Sequence, residues 1–387
     1  MRSAAWSRRA FLGAAARAAA IASSALAGCR SGRGGGAAPA GEPFFRTRGI
    51  VLVPDDLTLA DWPERAGAAG LTTIALHHGL RPSIVAAFVR SAGGQAFLDR
   101  CRALGLQVEY ELHAMAELLP RELFARDPAL FRMDERGARV ADANLCVHSE
   151  TALGIAAENA VRIDAELRPT THRRFLWGDD GAPWCLCPRC ASLSASDQAL
   201  VVENRLVAAL RRVDPAAALA HLAYANTLEP PRQVRPAEGI FLEFAPIDVR
   251  VQRPLTRLAD PADVEALGRL DANLSLFPRE TAQALDYWLD ASLQSGWRRP
   301  ARELRFDEEA FADDLETYAS RGVRHVASFA VYVDADYVAR FGFPPAVRRY
   351  GDRLRGRRAG QPRREVHASA VIRHAPPVRT SWKASMP

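Results

Sequence analysis

Two adjacent carboxylates and three cysteines fall within one short stretch of the chain: Asp179, Asp180, Cys185, Cys187 and Cys190. They follow an apolar run, Phe175-Leu176-Trp177, that reads as a buried strand, broken by Gly178 and followed by a turn at Gly181. Adjacent acids at the mouth of a buried strand are costly to place, because like charges in a low-dielectric cleft raise each other's pKa. A hydrolase uses that arrangement when one acid must stay protonated while its neighbour stays ionised. An aspartate-rich turn that caps the next helix is the alternative. The thiols Cys185, Cys187 and Cys190 end in a CxxC and can wrap one tetrahedral Zn²⁺ if a fourth ligand is supplied, for which Cys146, His148 and His172 are candidates. Such a closed centre would be structural, since it leaves no open position; a disulfide within the cluster is the other reading.

The elements that must hold these residues alternate. Strand-like runs are predicted at Gly49–Pro54, Leu71–His78, Leu106–Leu112, Arg174–Trp177, Leu219–Ala225, Gly239–Phe244, Ala284–Ala291 and Val323–Val331. Helical patterns lie between most of them, at Asp61–Ala69, Pro82–Leu104, Thr151–Leu167, Ser196–Val213, Pro261–Leu270, Asp307–Ser320 and Pro345–Leu354. Eight strands alternating with helices over about 300 residues predict an α/β fold, a (β/α)₈ TIM barrel spanning 49–352 as one catalytic-type domain. A doubly wound open sheet is disfavoured, because no Gly-rich phosphate loop follows the first strand. The longest excursion runs from His113 to about Ser149, after strand three, at the end where barrel enzymes build their sites.

Charge separates the body from the ends. The chain carries +6 overall, but residues 1–48 contribute +7 and residues 353–387 contribute +8, so the body carries −9. A nucleic-acid partner is therefore not expected. Arg8-Arg9 before an alanine-rich apolar run marks a twin-arginine signal over 1–29. Its Leu26-Ala27-Gly28-Cys29 ending resembles a lipobox, with Cys29 lipidated and the protein held at the membrane by that anchor alone, periplasmic or at the cell surface. An ordinary signal peptide is the alternative. Residues 30–48 read as a flexible Gly/Ala/Pro linker and 353–387 as a disordered basic tail. Five further cysteines are an odd number, which excludes a complete disulfide framework, and Cys101 sits in a helical pattern as a core thiol.

Polar and aromatic residues gather at the C-terminal ends of the predicted strands. Asp55 and Asp56 follow strand one, His77 and His78 end strand two, and Glu111 and His113 end strand three. Tyr224 and Asn226 follow strand five, Glu243 lies near the end of six, Trp288 and Asp290 lie in seven, and Tyr332 follows eight. His77, Glu111, His113, Trp184, Tyr224, Asn226, Trp288 and Tyr332 are expected to line the substrate site, with tryptophans stacking on sugar rings.

The segment WGDDGAPWCLCPRC, followed by Asn204 in a helix and HLAYANTLEPP, resembles the bacterial domain of unknown function 4838. YELHAM, LLPRELF, LFRMDERGARVADANLCVHS, LEFAP and DYWLDASLQSGW fit the same pattern, so the likeness covers roughly residues 46–350. It implies a carbohydrate-active TIM barrel near the β-hexosaminidase and α-glucuronidase groups. The adjacent acids also resemble the Asp-Asp pair of the O-GlcNAcase group and the Asp-Glu pair of β-hexosaminidases. That resemblance implies Asp179 as the residue orienting an acetamido group and Asp180 as the general acid. Aspartate in place of glutamate at the second position shortens the reach by one methylene.

The leading expectation is an exported glycoside hydrolase with Asp180 as general acid and Asp179, Glu243 or Asp290 as its partner. A separation of about 6.5–9.5 Å from an acid across the mouth means inverting chemistry, and about 5–5.5 Å retaining. A non-catalytic glycan-binding lipoprotein and a metal-dependent hydrolase using His77, His78 and His113 are the alternatives. Sugar, linkage and oligomeric state are not encoded in any motif.

Overall fold

The computed structural model describes residues 42–79, 81–247 and 261–358. The predicted signal, Cys29, most of the linker and the tail beyond Arg358 lie outside the described residues. Eight parallel strands close in chain order: β1 (Thr47–Leu52), β2 (Thr73–His78), β3 (Gln107–His113), β4 (Arg173–Trp177), β5 (Ala218–Ala223), β6 (Ile240–Phe244), β7 (Gln283–Asp286) and β8 (His325–Phe329). Eleven α-helices are described: α1 (Trp62–Ala68), α2 (Pro82–Arg90), α3 (Ala92–Ala103), α4 (Met115–Leu118), α5 (Glu150–Leu167), α6 (Ala195–Leu210), α7 (Pro261–Leu274), α8 (Ala291–Gln294), α9 (Glu308–Ser320), α10 (Ala335–Phe341) and α11 (Pro345–Gly356). The (β/α)₈ expectation therefore holds. None of the described helices is long and apolar enough to cross a membrane.

Strand alternation divides the apolar residues into two cores. One lies between the strands and the surrounding helices, where Ile50, Ile74, Leu112, Leu176, Leu219 and Leu242 meet helix side chains. The other fills the barrel, from Val51, Ala75, Phe175, Trp177, Phe241, Leu285 and Phe329. Side chains at the strand ends are aimed by this parity. His77, His113, Trp177 and Glu243 share the inward set, and a shift of one residue would turn each of them toward the helices.

Three boundaries differ from those predicted. The single helix expected over Pro82–Leu104 breaks at Ser91, whose extended backbone lets its side chain accept from Gly94 N at 3.0 Å and cap α3. Gly94 is required there, since a Cβ would stand 2.0 Å from the Phe88 carbonyl oxygen. Strand seven stops at Asp286, five residues before the expected end at Ala291, because Asp286 Oδ1 accepts from Tyr287 N and Asp290 caps α8. Residues 42–48 and 353–358, placed by sequence in linker and tail, pack on the barrel. Pro43 pairs with Arg358, Phe44 N donates to Arg357 O, and Phe45 is fully buried. Burial of one phenylalanine contributes roughly 1.5–3 kcal/mol, which outweighs the Gly/Ala/Pro character of the preceding stretch. Cys101 is buried on α3, and burial pushes its thiol up to about 12, as suits an inert core residue.

Candidate active site and thiolate cluster

At the C-terminal mouth of the barrel, β3 and β4 set the central pair. His113 and Trp177 are register partners, and their rings meet edge-on at 5.0 Å. His113 Nδ1–H donates to Gly178 O at 2.7 Å, so Nε2 is the nitrogen that faces Asp180, 3.8 Å from its Oδ1. Asp180 is 39% exposed and open to solvent. The imidazole edge thus stands beside the Asp180 carboxyl without a direct hydrogen bond to it.

Asp179 turns the other way. Its Oδ2 accepts from Arg121 Nη2 at 2.5 Å and from Asn144 N at 2.6 Å. Asn144 is buried in the left-handed region (φ 39°), accepts from Asp179 N through its Oδ1, and donates to Ala182 O and Pro183 O. Asn226 also donates to Ala182 O. The crowding of two neighbouring charges expected from sequence is thus relieved, because one acid is neutralised by Arg121 and only Asp180 faces the mouth. Asp179→Asn is expected to cost about 1–3 kcal/mol through loss of a charge-assisted bond, read as a lower urea midpoint. Any loss of turnover should be equal for substrates with and without an acetamido group; a loss confined to acetamido sugars would restore Asp179 to an orienting role.

Beside this pair, His77 Nδ1–H donates to Glu111 O at 2.7 Å. Burial, with His113 nearby, pulls His77 down to about 3, so Nε2 is a permanent acceptor at working pH. His77 packs edge-on against Phe329 at 5.2 Å, and Phe329 stacks on Tyr287 at 5.3 Å. Tyr287 is pushed well above the usual tyrosine value by burial and by Tyr224, Asp286, Asp290 and Asp180 around it. Tyr224 lies 6.3 Å from the His113 ring. Tyr332 adopts φ 70° and carries Arg299 over its ring at 4.3 Å. Arg299 bridges Asp334 and the buried Asp56, which also accepts from Val53 N and Tyr332 N; burial lifts Asp56 to about 6 against those bonds. The rim after β1 and β8 is thereby fixed by Asp56, one of the two acids that follow strand one.

The remaining predicted residues lie elsewhere. Glu243 is fully buried below Trp177, accepting from its Nε1 at 3.0 Å and from Gln283 Nε2 at 2.8 Å. Gln283 also reaches Glu111 Oε1 at 3.2 Å, and Arg173 donates to Gln283 Oε1 at 2.8 Å. Burial raises both acids, Glu243 to about 8, and Glu111 Oε2 has no partner. These acids form a buried polar layer inside the barrel, so Glu243 and Glu111 lie below the mouth rather than on its rim. Asp290 Oδ1 caps α8 through Ser292 N, Ser292 Oγ and Leu293 N, and burial lifts the acid to about 6. Trp184 is buried against Gly178 rather than stacked at the mouth, because only a glycine leaves room for its ring. Trp288 points into the helix layer, bonding Asp314 at 2.9 Å and meeting Phe311 edge-on, a result of β7 ending before it. The three histidines of the metal reading, His77, His78 and His113, do not bring their ligand atoms together in one cluster among the described residues.

Four sulfurs do converge. Cys146, Cys185, Cys187 and Cys190 are buried, with their Sγ atoms all within 4.8 Å of one another. Cys146 Sγ lies 3.9 Å from both Cys187 and Cys190. His148 instead bonds Arg189 O, and His172 pairs with Asp214, so the fourth position belongs to Cys146. Arg121, Asn144 and Arg299 escaped the sequence reading; Arg121 opens a short 3₁₀ turn (Arg121–Ala125), the other two lie in irregular segments, and no periodicity singles any of them out.

No curated protein matches the chain in sequence. Among solved structures, the β-galactosidase from Rahnella sp. R3 is 10% identical with a TM-score of 0.53, covering 82% of this chain and 57% of that one. A catalytic mutant of a GH42 β-galactosidase from G. stearothermophilus is 12% identical with a TM-score of 0.50, covering 82% and 58%. The β-N-acetylhexosaminidase from Bacteroides fragilis is 13% identical with a TM-score of 0.49, covering 84% and 68%. The chain spans little more than half the length of either galactosidase, and what it shares with them is the barrel fold of glycoside hydrolases. Residues 91–275, which hold the excursion after β3, both aspartates and all four converging cysteines, match the family described as Domain of unknown function (DUF4838).

Proposed function

We propose that the protein is a glycoside hydrolase in which Asp180 is the general acid. The observation that carries this reading is the Asp180–His113 contact: a solvent-facing carboxyl beside an imidazole whose other nitrogen is locked, at the mouth of a barrel with aromatic rings below. From this position Asp180 can deliver a proton to a glycosidic oxygen arriving from solvent. His77 Nε2 accepts a sugar hydroxyl, and Tyr224, Tyr287 and Tyr332 offer ring faces and phenols to a pyranose. Asp290 caps α8 through Oδ1 and would act as the second carboxylate through Oδ2. Asp179 is held by Arg121 and Asn144 N, which favours a partner other than Asp179 and a substrate without an acetamido group.

A twin-arginine signal and lipidated Cys29 would place the substrate outside the cytoplasm, as an oligo- or polysaccharide. The test is a panel of glycosides and polysaccharides scored for released reducing ends. Release from at least one member is expected; saturable oligosaccharide binding with no release would replace the hydrolase by a surface glycan-binding lipoprotein. With Asp290 ionising near 6, kcat/KM should rise with pH through about 6. A profile flat across that range would remove Asp290 from the reaction.

A further inference from the structure

We propose that Cys146, Cys185, Cys187 and Cys190 hold one zinc ion as a closed structural centre that fixes the loop carrying Asp180. Tetrahedral zinc–thiolate bonds of about 2.3 Å place neighbouring sulfurs about 3.8 Å apart. The two separations from Cys146 are 3.9 Å, and none of the six exceeds 4.8 Å. A disulfide needs about 2.05 Å, so no pair here is one. The surroundings favour anionic sulfur. Met133 N donates to Cys185 Sγ at 3.3 Å and Arg139 Nη1 approaches the same atom at 3.7 Å. Backbone amides of His148 and Cys187 point at Cys146 and Cys185. Neutral thiols accept such bonds weakly, whereas a thiolate in an otherwise apolar pocket needs them.

Loading releases one proton from each of the four thiols as Zn²⁺ enters, leaving a complex of charge −2 beside the Arg139 guanidinium. Four protein ligands leave no position for water, so the ion does no hydrolysis. What it joins is the excursion after β3, through Cys146, to the loop after β4, through the other three. These are the same two segments that Arg121, Asn144 and Asp179 join on the mouth side.

The test uses the full chain as purified, without added metal. One zinc per chain is expected by elemental analysis, with the four cysteines unreactive toward a thiol reagent until the ion is displaced. Cobalt exchanged into the site should give the visible and charge-transfer bands of tetrahedral thiolate coordination. Cys190→Ser should lose the zinc, and stripping the native protein should lower its melting temperature by more than about 10 °C. A metal-free protein with four free thiols, a protein lighter by the hydrogens of one or two disulfides, or iron in place of zinc would each overturn the assignment. None of these readouts depends on turnover, so the zinc centre and the hydrolase reading fail separately.

Discussion

Asp180→Asn should lower turnover of a glycoside with a poor leaving group by about 10²–10⁴-fold, the usual contribution of a positioned general acid. The same variant should lose much less against an activated aryl glycoside, whose phenolate departs without a proton. That split separates an acid from a residue that merely shapes the mouth, because a shape defect would slow both substrates equally. Asp180 is exposed, so the substitution should leave the unfolding free energy within about 0.5 kcal/mol of the parent. His113→Asn, which keeps a donor to Gly178 O but puts no imidazole beside Asp180, should reproduce part of the loss. Equal slowing of both substrate types by Asp180→Asn would remove Asp180 from the chemistry.

Stability should fall as pH rises above neutrality, and Glu243 is the reason. The ordinary glutamate value is 4.5, and burial inside the barrel lifts it to about 8 in the folded protein. Between those values the native state keeps a proton that the unfolded chain has shed, so stability is lost with rising pH at about 1.4 kcal/mol per unit. Over the full interval the loss is on the order of 4 kcal/mol. Below 6.5 the effect is opposed by His77 and His325, each held near 3 by burial, which penalise acid rather than base. The unopposed window is therefore 6.5 to 8, where about 2 kcal/mol should disappear, seen as a melting temperature lower by roughly 5 °C. Glu243→Gln should flatten that decline. A decline of undiminished steepness in the variant would assign the titration to another group.

The alternation of apolar runs and helical patterns was legible because each strand is buried on both faces and each helix on one, which leaves a periodic trace. The ends of strands were less so. β7 stops where Asp286 bonds its own next amide, and a run such as ALDYWLDA hides that stop behind apolar residues. Loss of five residues, 287–291, from that strand moved Trp288 and Asp290 from expected barrel positions to a helix-layer contact and a cap. The converging cysteines were visible by spacing, and Cys146 was among the fourth ligands considered, but only the fold could choose it over two histidines. What sequence could not show was the split of Asp179 from Asp180. It depends on Arg121, fifty-eight residues earlier, and on a left-handed Asn144. Nor does any local pattern reveal that Glu243 sits beneath an indole.

Because the turn that bears Asp180 is gripped on both sides by the excursion after β3, that excursion acts as the ruler against which the acid is placed. Lengthening or shortening it would displace the proton donor along with the sugar contacts, and such changes should be poorly tolerated. Insertions after β1 or β8 act on separate rims and leave Asp180 where it is. Diversification toward new glycans, by natural drift or in the laboratory, should therefore proceed on those opposite rims while the excursion keeps its length.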